Sequence, residues 1–403
     1  MRIAFIMPLF PKLSETFILN QITGLIDRGH HVSIFAKGNS NEATVHSDVL
    51  KYNLLAQTHY LKVPKEKGER VLTGLNLFLQ GILRNPKLTF RLLNFFKYGR
   101  AALSLNLLHK IGPFLNNFDI IHCHFGPTGN LGVTLRKHGI QAKFVTTFHG
   151  FDIRLGQEKG GQIYDSLFSE GDCFIAISDY NYENLVAFGL EQRKIVHLPV
   201  GIDISKFPYN KSLEHCRNGN PIRMLTVARL VEEKGLAYGI KAIYELLQQQ
   251  PQLNLSYNII GDGPLEENLA TLTQDLRLTD VVNFLGARDQ RYVSDILKES
   301  HIFLLPSIAE VLPVSLMEAQ AVGLPVIATD VGDIKKIVLD GKSGFVVPSG
   351  DVCALAEKLE YMLEHNLERI KMGLAGRKHV AHNFDSNKLN DRLVGIYQKL
   401  LCP

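Results

Sequence analysis

Residues 307–328 read SIAEVLPVSLMEAQAVGLPVIA, and the fold is decided there. The apolar run 302–305 just before them predicts a short buried strand, and 326–328 at their end predicts another. The segment between reads as one helix. Pro313 suits its first turn, where a fixed φ and a missing N–H cost nothing. Gly323 closes the helix and Pro325 bars its continuation. Glu310 then lies in the loop ahead of the helix, and Glu318 lies inside it, roughly 7 Å along the axis from its start. The first-turn N–H groups are unpaired and carry partial positive charge, a seat for a phosphate or diphosphate. Carboxylates on either side of such a seat accept hydrogen bonds from hydroxyls. A nucleotide sugar, with ribose at one end of its diphosphate and hexose at the other, has hydroxyls in both places.

Two acids near a helix start are in themselves explained by the helix dipole. The residues around them say more. Glu310-x7-Glu318, with Pro313, Met317 and Ala319, resembles the E-x7-E signature of retaining glycosyltransferases with the GT-B fold, in particular the large family 4. The resemblance implies an α/β protein of two Rossmann-like, doubly wound domains facing a central cleft, with the last helix crossing back onto the first domain. It implies a donor held at Glu318 and at Leu312, Pro313 and Val314, with Glu310 at the transferred sugar.

The chain's 403 residues are comfortable for two domains, and 45% hydrophobic with 21% charged residues is a globular balance. The net charge of +4 is unevenly spread: Lys and Arg against Asp and Glu give 22 − 16 = +6 up to Ser205 and 22 − 24 = −2 beyond it. Between Tyr60 and Lys110 there are ten Lys or Arg and two Glu. They are too scattered for a nucleic-acid stripe, and no recognition-helix or zinc-finger pattern accompanies them. An anionic membrane surface is the partner they suggest. The segment 88–100 (LTFRLLNFFKYGR) combines large apolar residues with cations and carries no acid.

The five cysteines, at 123, 173, 216, 353 and 402, form no CxxC pair and point to a reducing compartment without a structural metal. The apolar start, interrupted by Pro8, reads as a first strand and not as a secretion signal. No apolar stretch approaches the ~20 residues of a membrane span. The expected location is cytoplasmic, peripheral at the inner face of the membrane.

Apolar runs alternate with helical patterns, which predicts parallel sheets with helices on both faces. Six strands are expected in a first domain over 1–200 (2–7, 31–36, 119–122, 143–147, 173–177 and 194–198). Six more are expected in a second domain over 222–386 (223–227, 255–260, 281–285, 302–305, 325–328 and 344–346). The Pro-, Asn- and Lys-rich stretch 201–221 reads as a linker. A last helix is expected over 387–401, with 387–403 packing back on the first domain as the resemblance implies.

Ligands of open α/β sheets bind where strands end, so the loops after strands carry the candidate chemistry. Arg229 and Lys234, in the RL-x-x-x-KG form, match the family's diphosphate-binding loop and stand where they neutralise a leaving diphosphate without a metal. Gly261 and Gly263 sit in a GDGP turn. The resemblance places Ala287 and Arg288 against the nucleotide base. In the first half, His149 matches a position where related enzymes hold a histidine beside the transferred sugar, with Asp152 orienting it or positioning the acceptor. His122-x-His124 is set aside as a metal pair on the expectation that the two rings point to opposite faces, leaving His124 as cleft lining. Ser14, Glu15 and Thr16 follow the first strand. Many family members have two glycines there; their absence points to acceptor contacts instead. Val311 stands where the family usually has Gly, so the loop must turn without a left-handed residue.

Together these readings predict transfer of a hexose, with retention, from a nucleoside-diphosphate sugar to a saccharide or lipid-linked saccharide acceptor. No cofactor and no metal are required. The Ser14-Glu15-Thr16 and Phe125-Gly126-Pro127 segments resemble transferases of bacterial exopolysaccharide assembly of colanic-acid type. Rival readings are a GT-B-shaped nucleotide-sugar isomerase or epimerase, which turns donor over without acceptor, and a two-lobed solute-binding protein, which would need a secretion signal. A dinucleotide dehydrogenase is disfavoured because no G-x-G-x-x-G follows an opening strand.

Overall fold

The computed structural model describes residues 1–42, 45–209 and 221–402. Residues 210–220, the greater part of the expected linker and Cys216 with it, lie outside the described residues. The chain divides into two compact units, Met1–Leu198 with Asn390–Pro403, and Pro199–Leu389.

The first unit is built on seven parallel strands: β1 (Arg2–Leu9), β2 (His31–Gly38), β3 (Thr58–Tyr60), β4 (Ile120–His124), β5 (Lys143–Phe148), β6 (Cys173–Ala176) and β7 (Ile195–His197). Their order is β3-β2-β1-β4-β5-β6-β7. Strands covered on both faces must be apolar throughout, and every residue of β4 and β6 is buried. One side of the sheet packs Ala4, Ile6 and Phe35 against Leu88, Leu92, Leu108, Ile111 and Phe114. Around β5 and β6, Phe148 and Phe174 pack with Tyr164, Phe168 and Leu185. All six strands expected here are present within a few residues. The seventh, β3, is a three-residue edge strand with two exposed positions, too short and too polar to announce itself. The closing helix Ser386–Leu401 anchors in this unit: Tyr397 is fully buried, and Asn390 donates from Nδ2 to the Asn20 carbonyl at 3.0 Å.

The second unit has six parallel strands: β8 (Ile222–Val227), β9 (Leu255–Ile260), β10 (Val282–Phe284), β11 (Ile302–Leu305), β12 (Val326–Thr329) and β13 (Gly344–Val347). Their order is β10-β9-β8-β11-β12-β13, and all six were legible as apolar runs. Its core joins Ile240, Ile243 and Leu246 of helix Leu236–Gln249 to Leu355 and Leu359 of helix Val352–Glu364 over the strands. The described start of the expected linker is packed and not loose. Ile202 and Phe207 are fully buried, and the Ile202 N–H donates to the Phe384 carbonyl at 2.9 Å.

In each sheet the strand order reverses once, between β1 and β4 and between β8 and β11. In open parallel sheets the connections on either side of such a switch point leave in opposite directions and open a crevice at the carboxyl ends of the strands.

Candidate active site

In the second unit the switch point is flanked by the loop after β8, which carries Arg229 and Lys234, and the loop after β11, which carries Glu310. The two loops are stitched together. The N–H groups of Ile308 and Ala309 both donate to the Glu233 carbonyl, at 2.9 and 3.1 Å. Lys234 Nζ lies 2.5 Å from Glu310 Oε1, and the same oxygen accepts from Ser307 Oγ at 2.9 Å. The Glu310 side chain is only 7% exposed and that of Lys234 18%. Ser307, absent from the sequence expectations, is held in turn by Thr329, whose hydroxyl donates to the Ser307 carbonyl.

Helix Val314–Val322 begins four residues after Glu310 and ends, as expected, at Gly323 in the left-handed conformation. Pro313 is not inside its first turn. It is the N-cap, with extended backbone and no side-chain cap, so the first N–H groups have no capping oxygen. Val311 is not among the residues with positive φ, so the loop turns without the left-handed residue that Gly would supply. The space is made elsewhere: a Cβ on Gly332, which has φ +54°, would run into the Glu310 carbonyl. Gly261, with φ +146°, leaves no room for a Cβ beneath the Ala228 carbonyl. Gly263 likewise lies against the Leu230 backbone. These glycines let the turn after β9 run directly under the Arg229 loop.

Glu318, on the helix, is 7% exposed, and burial pushes its carboxyl up to about 7 against the pull of Gln290 and Lys206. Leu312 and Pro313 are buried and Val314 half-buried. Arg229 is exposed, as are Ala287 and Arg288. The Arg288 guanidinium stacks over the Tyr292 ring, 4.8 Å from its centroid, and donates from Nε to the Leu285 carbonyl at 2.8 Å.

In the first unit the switch point lies between the loop after β1, with Ser14, Glu15 and Thr16, and the end of β4, with His149 one strand further, at the end of β5. Ser14 is exposed. Glu15 is bound by Lys12 at 2.9 Å, and burial raises its carboxyl despite that lysine. His149 caps helix Gly150–Lys159, and its N–H donates to Asp152 Oδ1 at 2.6 Å. The other oxygen of Asp152 accepts from the Gly126 N–H at 2.8 Å. Asp152 is wholly buried with both oxygens engaged, so of its two expected roles the geometry has the orienting one, a brace that ties His149 to the start of helix Gly126–Lys137, and not an acceptor contact.

His124 is corrected too. It is wholly buried beneath His149, with Nδ1 3.2 Å from His149 Nε2, and so is no lining residue. The expectation that His122 and His124 diverge fails because strand residues two apart share a face. Their rings stack at 4.5 Å, and His122 reaches Tyr397 Oη at 2.6 Å and Thr147 Oγ1 at 2.7 Å. Burial holds His122 and His149 at about 3 and His124 well below its usual range, so the row is neutral. Sequence reasoning missed Tyr397, because nothing local in the last helix marks its partner 275 residues away. Among the described residues no cluster of His, Cys, Asp or Glu forms a metal-ligand group.

Known proteins similar to this chain identify its family and fold. Residues 14–206 match the model of Glycosyltransferase Family 4, and residues 211–379 match that of Glycosyl transferases group 1. A protein of Escherichia coli K12 named as a colanic acid biosynthesis glycosyltransferase, WcaL, is 34% identical over 99% of this chain and all of its own length. The chain belongs to glycosyltransferase family 4. A second relative, the amylovoran biosynthesis glycosyltransferase AmsK of Erwinia amylovora, is 35% identical over the same share of both chains. The fold is GT-B: the Anabaena HepE structure in complex with UDP-glucose superposes with a TM-score of 0.76 at 15% identity, over 99% of this chain and 100% of that one. A glycosyltransferase from Rickettsia africae gives 0.72 at 20% identity, over 99% and 98%.

Proposed function

We propose that this glycosyltransferase moves a hexose from a nucleoside-diphosphate sugar to an acceptor hydroxyl, with retention and without a metal, in cell-surface polysaccharide assembly. The acceptor is a saccharide or lipid-linked saccharide, and the protein works in the cytoplasm, peripherally at the inner face of the membrane. The observation that carries the reading is the Lys234–Glu310 pair at the switch point of the second sheet, four residues ahead of an uncapped helix N-terminus. The full-length likeness to proteins named for colanic acid and amylovoran biosynthesis supports the pathway class.

The diphosphate sits on the N–H groups at Val314, with Arg229 and Lys234 against its oxygens. Glu318 receives the ribose hydroxyls and Glu310 the hexose. The bond from the anomeric carbon to the diphosphate oxygen breaks while the acceptor oxygen bonds the same face, and the acceptor proton passes to the departing oxygen. Charge builds on the leaving group, so fixed cations and helix N–H groups lower the barrier there. His149, neutral and braced by Asp152, is buried with Nε2 on His124, so in this reading it positions the loop at the first unit's switch point and does not itself touch a sugar hydroxyl. A panel of nucleotide sugars, read by protection against thermal unfolding, tests the donor class. One base and sugar should protect the wild type and protect Lys234→Ala far less. Protection by none would overturn the reading.

A further inference from the structure

Helix Lys67–Arg84 packs on the first unit through Leu77 and Phe78 beside two glycines, and turns a second apolar side outward. Its two buried residues are Gly74 and Gly81, seven apart and so on one face. A Cβ on Gly74 would come within 2.7 Å of Leu105 Cδ1, and one on Gly81 within 2.5 Å of Thr89 Oγ1. The glycines are therefore where the helix presses closest on the body. Val71, Leu72, Leu75, Leu79 and Leu83 are 59, 72, 54, 55 and 88% exposed. At 100° per residue they fall in an arc of roughly 120° turned away from the glycine side. Glu69, Arg70, Asn76, Gln80 and Arg84 occupy the remaining side. An ordinary surface helix turns such an arc into the core.

The short helices that follow extend the pattern. Phe90, Phe95, Phe96 and Leu103 are 59, 47, 88 and 70% exposed, and the Phe90 ring meets Phe78 of the first helix edge-on at 5.8 Å. Among the described residues none of the ten cations between Tyr60 and Lys110 is paired with a carboxylate. Monomeric proteins seldom leave so many large apolar side chains together in water.

We infer that this face is a membrane-docking surface, which lies flat on an anionic phospholipid bilayer with the leucine and phenylalanine side chains at the acyl boundary and the cations among the headgroups. The inference deepens the peripheral location proposed above and rests on it. Charge decides for lipid over a protein partner. Protein interface cores are depleted of lysine, whereas here apolar side chains and unpaired cations alternate along the chain, the arrangement that an apolar layer beneath a sheet of phosphates complements. No helix among the described residues is long and apolar enough to cross a membrane, so the contact is with the surface.

The test is co-sedimentation of the full chain with vesicles of phosphatidylcholine alone or mixed with phosphatidylglycerol, at low and high salt. Wild type should pellet with the anionic vesicles at low salt and be released by salt. Leu79→Glu with Leu83→Glu, and separately Lys87→Glu with Lys97→Glu and Arg100→Glu, should each weaken binding roughly tenfold or more. All five positions are exposed, and none belongs to the nucleotide-sugar site, so both variants should keep the wild-type melting temperature and its protection by donor. Wild type left in the supernatant with anionic vesicles, or variants that bind as wild type does, overturns the inference. So does a wild-type dimer that the leucine variants abolish in the absence of vesicle binding, which would make the face a protein interface. Failure to dock with donor protection intact sinks this inference alone; docking without donor protection sinks the transfer reading alone.

Discussion

Lys234 and Glu310, carried by two loops of the second unit and 76 residues apart in sequence, form one ion pair of 2.5 Å with both side chains largely withdrawn from solvent. From sequence alone the two have separate tasks, the lysine on the diphosphate and the glutamate on the sugar. Paired, each fixes the other's position.

Removing either partner leaves the other short of compensation in a site of low solvent access, which is more costly than the pair is worth. Lys234→Ala and Glu310→Gln should each lower kcat/KM by roughly 2 to 4 kcal/mol in transition-state terms. The double variant should lose less than the sum, with a coupling of about 1 kcal/mol or more. Arg229→Ala, exposed and outside the pair, should slow turnover without that coupling. Kinetics on all four proteins check this; strictly additive losses would mean the pair is incidental.

Gly332 gives the Glu310 loop its room. Gly332→Ala forces a side chain against the Glu310 carbonyl at a positive φ, a strain of about 1–3 kcal/mol. The expected outcome is a lowered melting temperature with a larger fractional loss of turnover than of stability. Turnover and melting temperature at wild-type values would show that the loop has slack.

If the diphosphate sits where we propose, two cations and a helix N-terminus meet its charge, and activity should survive a strong chelator. The check is turnover in EDTA followed by magnesium or manganese. An absolute requirement for added metal would contradict the leaving-group assignment.

The buried histidine row predicts the acid limit of the first unit. His122 and His149 titrate at about 3 and His124 well below its free value, so between about pH 6.5 and 3 the unfolded chain binds protons that the folded one does not. Stability from these three falls as pH falls. Asp152, raised to about 7 by burial, acts the other way, favouring the fold below about pH 4 and losing that advantage as pH rises through 7. Glu15 and Glu318, also raised by burial, add to the opposing pull of Asp152, and the lowered His301 adds to that of the row, so the unfolding free energy from urea titration should still fall from about pH 6.5 to 4.5, by roughly 1 kcal/mol per pH unit. His124→Phe should flatten the slope by about one group. An unchanged slope would contradict the neutral row.

The strands were legible because buried parallel strands must be continuous apolar runs; β3 was not, being short, exposed and at the sheet's edge. The second-unit loops were legible because Arg229, Gly261 and Glu310 each follow such a run. What sequence could not give was side-chain partnership across the fold. Lys234 and Glu310 meet only because β8 and β11 are neighbours, and Tyr397 reaches His122 only because the last helix lies on the first sheet. For Asp152 sequence left two roles open, orienting His149 or positioning the acceptor, because a carboxylate after a strand can do either. Its two oxygens were already committed to backbone N–H groups, and no local pattern records that.

Retaining transfer from a nucleoside-diphosphate sugar is tested most directly by proton NMR of the anomeric signals, with the protecting donor and a membrane extract as the source of acceptor. The expected result is donor consumed only when extract is present, with a product linkage of the donor's own anomeric configuration. An inverted linkage, or donor converted equally well without extract, would contradict it.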